Sequence, residues 1–215
     1  MIYYIADMHF GHKNVLRFDN RPFADTELMD EVLIHNWNER VTDEDTVYVL
    51  GDAFWKNEES SVKIIQRLNG HKHLIRGNHD RVHGRLRFHW ESIEQYAEIN
   101  DGNTLVIMSH YPIMFYKNQH YGSVMLYGHV HNTREWQLVE KWKHEQWDMG
   151  IPSRLINVGC MMDYMPAYCE SWFPNEHIID YMNLPYDDRE KFLPFCVWYD
   201  EEPIKLVTEK EAEPK

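Results

Sequence analysis

Cysteine is scarce in this chain, with three in 215 residues, at Cys160, Cys169 and Cys196. Three unpatterned thiols exclude a disulfide framework, and their spacing lacks the paired rhythm of a structural zinc site. Free buried thiols in a reducing compartment are therefore expected. Long apolar runs are missing as well. Nothing approaches the roughly 20 residues that span a bilayer, and no basic segment with an apolar stretch precedes the strand-like residues Met1 to Ala6. The expectation is a cytoplasmic protein with no signal peptide and no membrane partner. Basic side chains are outnumbered, 22 Lys and Arg against 35 Asp and Glu, for a formal net charge of −13. That balance argues against a protein that coats nucleic acid or an anionic membrane nonspecifically. It leaves room for an enzyme that handles one phosphate at a time, because bound cations reverse the field inside a pocket.

Hydrophobic residues at 43% and aromatics at 14% are those of a folded globular chain. A single domain over 1–198 is expected, followed by a charged, flexible tail over 199–215. The chain repeats one grammar. Ile2 to Ala6 reads as a buried strand and runs straight into Asp7-Met8-His9. Thr46 to Leu50 ends in Gly51-Asp52, His73 to Ile75 leads to Gly77-Asn78-His79-Asp80, Leu105 to Met108 leads to Ser109-His110, and Val124 to Tyr127 leads to Gly128-His129-Val130-His131. Between strands, residues 25–38 place Leu28, Met29, Val32, Leu33 and Trp37 on one helical stripe with Asp25 as N-cap, and 60–68 form a second amphipathic helix. Strands alternating with helices predict an α/β protein with a parallel or mixed sheet.

Five strand-like runs thus end, within three residues, in Asp, Asn or His. Any one of these is an ordinary turn former or surface histidine; all five at strand ends point to a shared site, since α/β proteins gather ligands on that edge. Imidazole nitrogens, carboxylates and an amide oxygen make an N/O donor set without thiolate, which suits catalytic manganese, iron, zinc, cobalt or nickel. Asp7 and His9, two apart, can reach one ion if the chain turns, and His129 and His131 share that spacing. Asp52 is placed to bridge two ions with its two oxygens. Two divalent ions held by only two carboxylates leave an electropositive centre suited to a phosphate.

Asp7-x-His9, Gly51-Asp52, Gly77-Asn78-His79-Asp80, His110 and Gly128-His129-x-His131 resemble, in order and strand context, the signature of the calcineurin-like metallophosphoesterases. Asn157-Val158-Gly159 resembles that family's closing strand and turn, so the likeness covers about residues 1–159. The opening Asp7 to Asn14, with Asn20-Arg21-Pro22-Phe23, resembles the small bacterial and phage branch, which implies a bacterial or phage-infected cell. The resemblance implies a β-sandwich of mixed sheets flanked by helices, αββα in layers, and two divalent metals with manganese foremost. It implies that Asp7, His9 and His131 hold one metal, Asn78, His110 and His129 the other, and that Asp52 bridges. It further implies His79 as general acid or donor at the scissile phosphate, with Asp80 orienting it.

His12, Arg21 and Arg76 are candidate contacts to substrate phosphate, beside plainer surface or ion-pair roles. Residues 133–150 interleave Trp136, Trp142 and Trp147 with Lys141, Lys143 and His144. They read as an inserted hairpin or helix packing its tryptophans on the body at the rim of the site, or as a platform for a nucleobase. The aromatic-rich stretch 160–198 is expected to fold against the core. The functional expectation is hydrolysis of a phosphate ester, foremost a small phosphodiester or nucleotide derivative. Alternatives are a nuclease on polymeric DNA or RNA and a noncatalytic interaction module.

Overall fold

Tyr3 and Tyr4 are neighbours in the first strand, and their hydroxyls reach opposite sides of it. Tyr3 donates to the carbonyl of Arg40 at 3.0 Å and Tyr4 donates to Asp101 at 2.8 Å. This alternation, a property of any strand, marks the layering of the whole molecule. The computed structural model describes residues 1–162; the expectations for the stretch from residue 163 to 198 and for the tail at 199–215 lie outside the described residues.

The first sheet contains β1 (Ile2–Ile5), β2 (Thr46–Val49), β3 (His71–Ile75) and β4 (Ser92–Glu94), in that order and all parallel. The second contains β5 (Tyr96–Asp101), β6 (Thr104–Ser109), β7 (Val124–Tyr127) and β8 (Leu155–Asn157), with β5 antiparallel to β6 and the remainder parallel. Four α-helices, α1 (Val15–Phe18), α2 (Thr26–Arg40), α3 (Glu58–Ile65) and α4 (Arg134–Asp148), and two short 3₁₀ helices at Leu86–His89 and Gln119–Tyr121 complete the described chain. The expected β-sandwich flanked by helices is the fold observed, built from two four-stranded sheets.

Alternation along the second sheet sorts its side chains between two cores. Val106, Met108, Val124, Leu126 and Ile156 join the large cluster shared with the first sheet, α2 and α3. Ile107, Met125, Tyr127 and Leu155 face the other way and pack with Val139 of α4. Helix α2 begins where the sequence predicts: the Asp25 side chain accepts from the Leu28 amide at 2.8 Å, satisfying one of the amides a helix start leaves unpaired. Helix α3 starts two residues before the predicted position, capped by Asn57.

The stretch 133–150 is α4, capped by Thr133. Trp136 and Trp142 are half-buried against the outer core, and the Trp147 indole donates to the carbonyl of Ser153 at 3.2 Å. Lys143 is buried and paired with Glu140. These tryptophans pack on the body, as the plainer of the two readings has it. No helix among the described residues is long and apolar enough to cross a membrane.

The sheets meet at one rim. Beyond β1, the Ala6 amide donates to the carbonyl of Val158 at 2.8 Å and Ala6 accepts from Cys160 at 2.9 Å, a parallel bridge from the end of β1 to the end of β8. The loops after β1 and β2 also run on in register: the amides of Asp7, His9 and Phe10 donate to the carbonyls of Gly51, Asp52 and Ala53. The carboxyl ends of strands from both sheets are thereby held at one edge.

Candidate metal centre

Every predicted ligand lies on that edge. Five of them, Asp7, His9, Asp52, His129 and His131, have φ between 49° and 69°, and they are five of the seven non-glycine residues in the left-handed region among the described residues. Such backbone costs roughly 1–3 kcal/mol per residue and persists where surroundings over-determine it, commonly at functional sites. Here each left-handed residue lets the chain leave its strand and turn a side chain back over the sheet end. Two motif glycines exist because ligands come close: a Cβ on Gly77 would collide with the Asp52 carboxylate, and one on Gly128 with that of Asp7.

Two clusters result. In the first, His9 Nε2 and His131 Nε2 are 3.2 Å apart, and His131 Nε2 is 3.9 Å from Asp7 Oδ1. In the second, Asn78 Oδ1 is 2.9 Å from His110 Nε2 and 3.0 Å from His129 Nδ1. Between them, Asp52 Oδ2 is 3.7 Å from both His9 Nε2 and His110 Nε2. Ligands at right angles on an ion with bonds of about 2.1 Å lie about 3.0 Å apart, so these separations suit shared cations. Asp7, His9 and His131 could hold an ion as one set, and Asp7, Asp52 and His110 as another, so Asp7 borders both clusters. The expectation that Asp52 bridges with two oxygens is corrected in one respect. Oδ1 accepts from the His79 amide at 2.9 Å, and only Oδ2 faces both clusters.

The orientation of the imidazoles is set from behind. His110 Nδ1 is 2.8 Å from the Leu50 carbonyl, an oxygen that only accepts, so the hydrogen sits on Nδ1 and the lone pair of Nε2 faces Asn78 and Asp52. His131 Nδ1 is 2.7 Å from Asp19 Oδ1, with the same consequence for its Nε2. Imidazole nitrogens gathered with carboxylate and amide oxygens form a donor set complementary to a cation, and the residues present fit divalent metals.

Burial and neighbours shift the titrations. Burial pushes the Asp7 carboxyl up to about 6, against the pull of His131 and His110. Burial, reinforced by His131 and Arg21, drives His9 well below the usual imidazole range, and burial also lowers His129. Burial opposes charge on His131, but its bond to Asp19 and the Asp7 carboxylate outweigh burial and raise it.

The remaining candidates separate. His79 is exposed on the rim, its ring 4.6 Å from that of Trp55 in an edge-on contact and 6.0 Å from that of His9. Asp80 does not orient that ring by any bond observed. Its carboxylate accepts from the amides of Gly77, Asp52 and Ala53 at 2.7–3.1 Å, tying the β2 and β3 loops together, so its part is to hold the two loops in register. His12 stacks on Trp55 at 3.9 Å. Arg76 is exposed beside Asn78 and His79. Arg21 departs from the expected phosphate contact: its side chain is 0% exposed, and its guanidinium donates to Asp19 and to the carbonyls of Met8 and Asp7 at 2.7–2.9 Å. It braces the first motif from beneath.

Sequence reasoning missed Asp19 and Trp55 as contributors and gave Asn157 only as part of the closing strand and turn. Asp19 holds His131 and Arg21. Trp55 contacts both His12 and His79, and Asn157 donates to the carbonyl of His131 at 2.9 Å. Neither Asp19 nor Trp55 carried a signal in the local sequence that set it apart from a surface residue.

Residues 1–197 match the family described as calcineurin-like phosphoesterase. An uncharacterized protein of Methanocaldococcus jannaschii is 44% identical over 88 residues, covering 40% of this chain and 50% of that protein, so the chain spans half the length of this relative. The gene 66 protein of Mycobacterium phage D29 is 26% identical over 159 residues, covering 61% of this chain and 78% of the phage protein. Among solved structures, a protein of unknown function from Aquifex aeolicus has a similar fold, with a TM-score of 0.58 at 24% identity over 75% of this chain and 90% of that one.

Proposed function

The chain belongs to the calcineurin-like phosphoesterase family, and on that premise we propose that it is a metal-dependent hydrolase of a small phosphodiester or nucleotide derivative. The observation that carries the reading is the convergence of seven side chains from five strand ends, with Asp52 Oδ2 at 3.7 Å from a histidine of each cluster. Asp7, His9 and His131 would hold one divalent ion and Asn78, His110 and His129 the other, with Asp52 shared. The donor set contains no thiolate and accommodates manganese, iron, zinc, cobalt or nickel, and manganese is the ion that the family resemblance puts first. Bound there, the ions supply positive charge to the phosphoryl oxygens and acidify a water molecule.

The protein's own groups do the rest. Leu50 and Asp19 keep lone pairs of His110 and His131 turned inward. Asp80 fixes the separation of the loops that carry Asp52 and Asn78. His79 has its amide anchored on Asp52 and its ring free on the rim against Trp55, where its imidazole can give a proton to the departing oxygen. The test is hydrolysis of an aryl phosphodiester and its monoester by chelator-stripped protein with manganese restored. Manganese-dependent turnover with preference for the diester is expected. Absence of turnover by protein that carries its metal would reject the reading.

A further inference from the structure

On the His79 side of the centre lies a recess of about 490 Å³, within the ~300–1,000 Å³ of sites that enclose small organic ligands. Asn78 and His79 belong both to it and to the rim of the metal site. Deeper in, the lining is apolar and aromatic, with Phe54, Leu86 and Trp90 buried, while Arg76 and Arg81 line it as exposed residues. Neither guanidinium has a carboxylate partner among the described residues. Other charges of the recess are matched, Lys56 with Asp30 at 3.2 Å and Glu58 with Arg85 at 3.6 Å. The recess therefore offers an apolar, aromatic lining, with Phe54 and Trp90 edge to face at 6.3 Å, and two guanidinium groups without a carboxylate partner, of which Arg76 Nε donates to the Asp80 carbonyl at 3.3 Å. It is contiguous with the histidine that would face the leaving oxygen.

We propose that this recess is the leaving-group subsite and that it takes one nucleotide unit, the base against the aromatic wall and the nucleotide's own phosphate on Arg76 and Arg81. This rests on the hydrolase reading and narrows it: the substrate is a linear dinucleotide-type phosphodiester, cleaved at the phosphate beside His79. Water oxygen forms the new bond to phosphorus and the bond from phosphorus to the leaving nucleotide's oxygen breaks. One proton of that water ends on the leaving oxygen, delivered through His79, and the other passes to solvent. A simple alcohol would use neither wall nor guanidinium groups, a phosphorylated serine or threonine brings no planar ring, and a phosphotyrosine brings a ring without a second phosphate for Arg76 and Arg81. A long polynucleotide would require a continued basic track, where this chain carries a net charge of −13 and the recess has two guanidinium groups, enough for one phosphate.

The test titrates adenosine 5′-monophosphate into manganese-loaded and chelator-treated protein by calorimetry. Binding is expected to persist after chelation. It should weaken at least about tenfold in the double variant Arg76→Gln/Arg81→Gln, as expected for losing charge-assisted hydrogen bonds. Ribose 5-phosphate, which lacks the base, should bind the unaltered protein at least about tenfold more weakly than the nucleotide. Binding only while metal is present, indifference to the double variant, or equal binding of ribose 5-phosphate would each overturn the subsite. Turnover of the aryl phosphodiester separates the two readings: turnover without nucleotide binding removes the subsite alone, and nucleotide binding without turnover removes the hydrolase.

Discussion

His131 Nδ1 lies 2.7 Å from Asp19 Oδ1, and the same carboxylate is held by the buried guanidinium of Arg21. A histidine ligand whose outer nitrogen is fixed by a carboxylate keeps its tautomer and orientation, and loss of such a partner typically costs about 10–100-fold in metal affinity. Asp19→Asn should therefore fold normally and bind manganese about 10–100-fold more weakly, measured by metal titration. Unchanged affinity would mean that the 2.7 Å contact does not govern the ring.

Arg21 is a brace under Asp7 and Met8, so Arg21→Met should be felt in stability before substrate binding. Removing one partner of a buried ion pair strands the other, at a cost of about 3–5 kcal/mol. Urea unfolding of the metal-free protein should register a loss of that order. A change below about 1 kcal/mol would return Arg21 to the surface role that its sequence position also allowed.

Burial raises Asp7 to about 6 in the metal-free protein, and a bound cation requires its carboxylate. In the metal-free protein the folded state holds this proton more tightly than the unfolded chain. The group's contribution is thus present at low pH and is lost as pH rises towards about 6. Metal binding has the opposite sense, since below about 6 the ion must displace a proton, and His131, raised by Asp19, adds to that demand. Manganese affinity should fall at least about tenfold per pH unit below 6, with proton release seen by calorimetry in different buffers. A flat affinity between pH 7 and 5 would contradict this assignment of Asp7.

His79 holds no position inside either ligand cluster, and its ring stands at the rim beside Trp55. His79→Ala should keep its metal content while kcat falls about 10²–10⁴-fold, the range for a general acid. Loss of metal in that variant would move His79 from proton donor to ligand.

Much of this site was legible because ligand chemistry and strand periodicity coincide in the sequence. Apolar runs marked β1, β2, β3, β6 and β7, and the Asp, Asn and His that ended them converge on one rim. Helix α2 was equally plain, since Asp25 and the Leu28-to-Trp37 stripe carry both its cap and its buried face. The division into two sheets was implied by the family resemblance and not by the strand pattern alone. Strands β4 and β5 are short or lie at an edge with exposed residues such as Tyr96, so their alternation is weak. Supporting residues were hidden for a different reason. Asp19 and Arg21 act through contacts 112 positions away at His131 and through backbone carbonyls, and nothing in local pattern distinguishes a buried brace from a surface arginine. Asp80 misled similarly: adjacency to His79 suggested a partnership, but its carboxylate turns to the amides of the neighbouring loop.

The central claim is a pair of metal sites sharing Asp52. The direct measurement is manganese bound per chain at saturation, by equilibrium dialysis with elemental analysis, for the unaltered protein and for Asp52→Asn. The account predicts about two ions per chain in the first and a loss from both sites in the variant, since Oδ2 faces a histidine of each cluster at 3.7 Å. One ion or none in the unaltered protein, or two still tightly held by the variant, would contradict it.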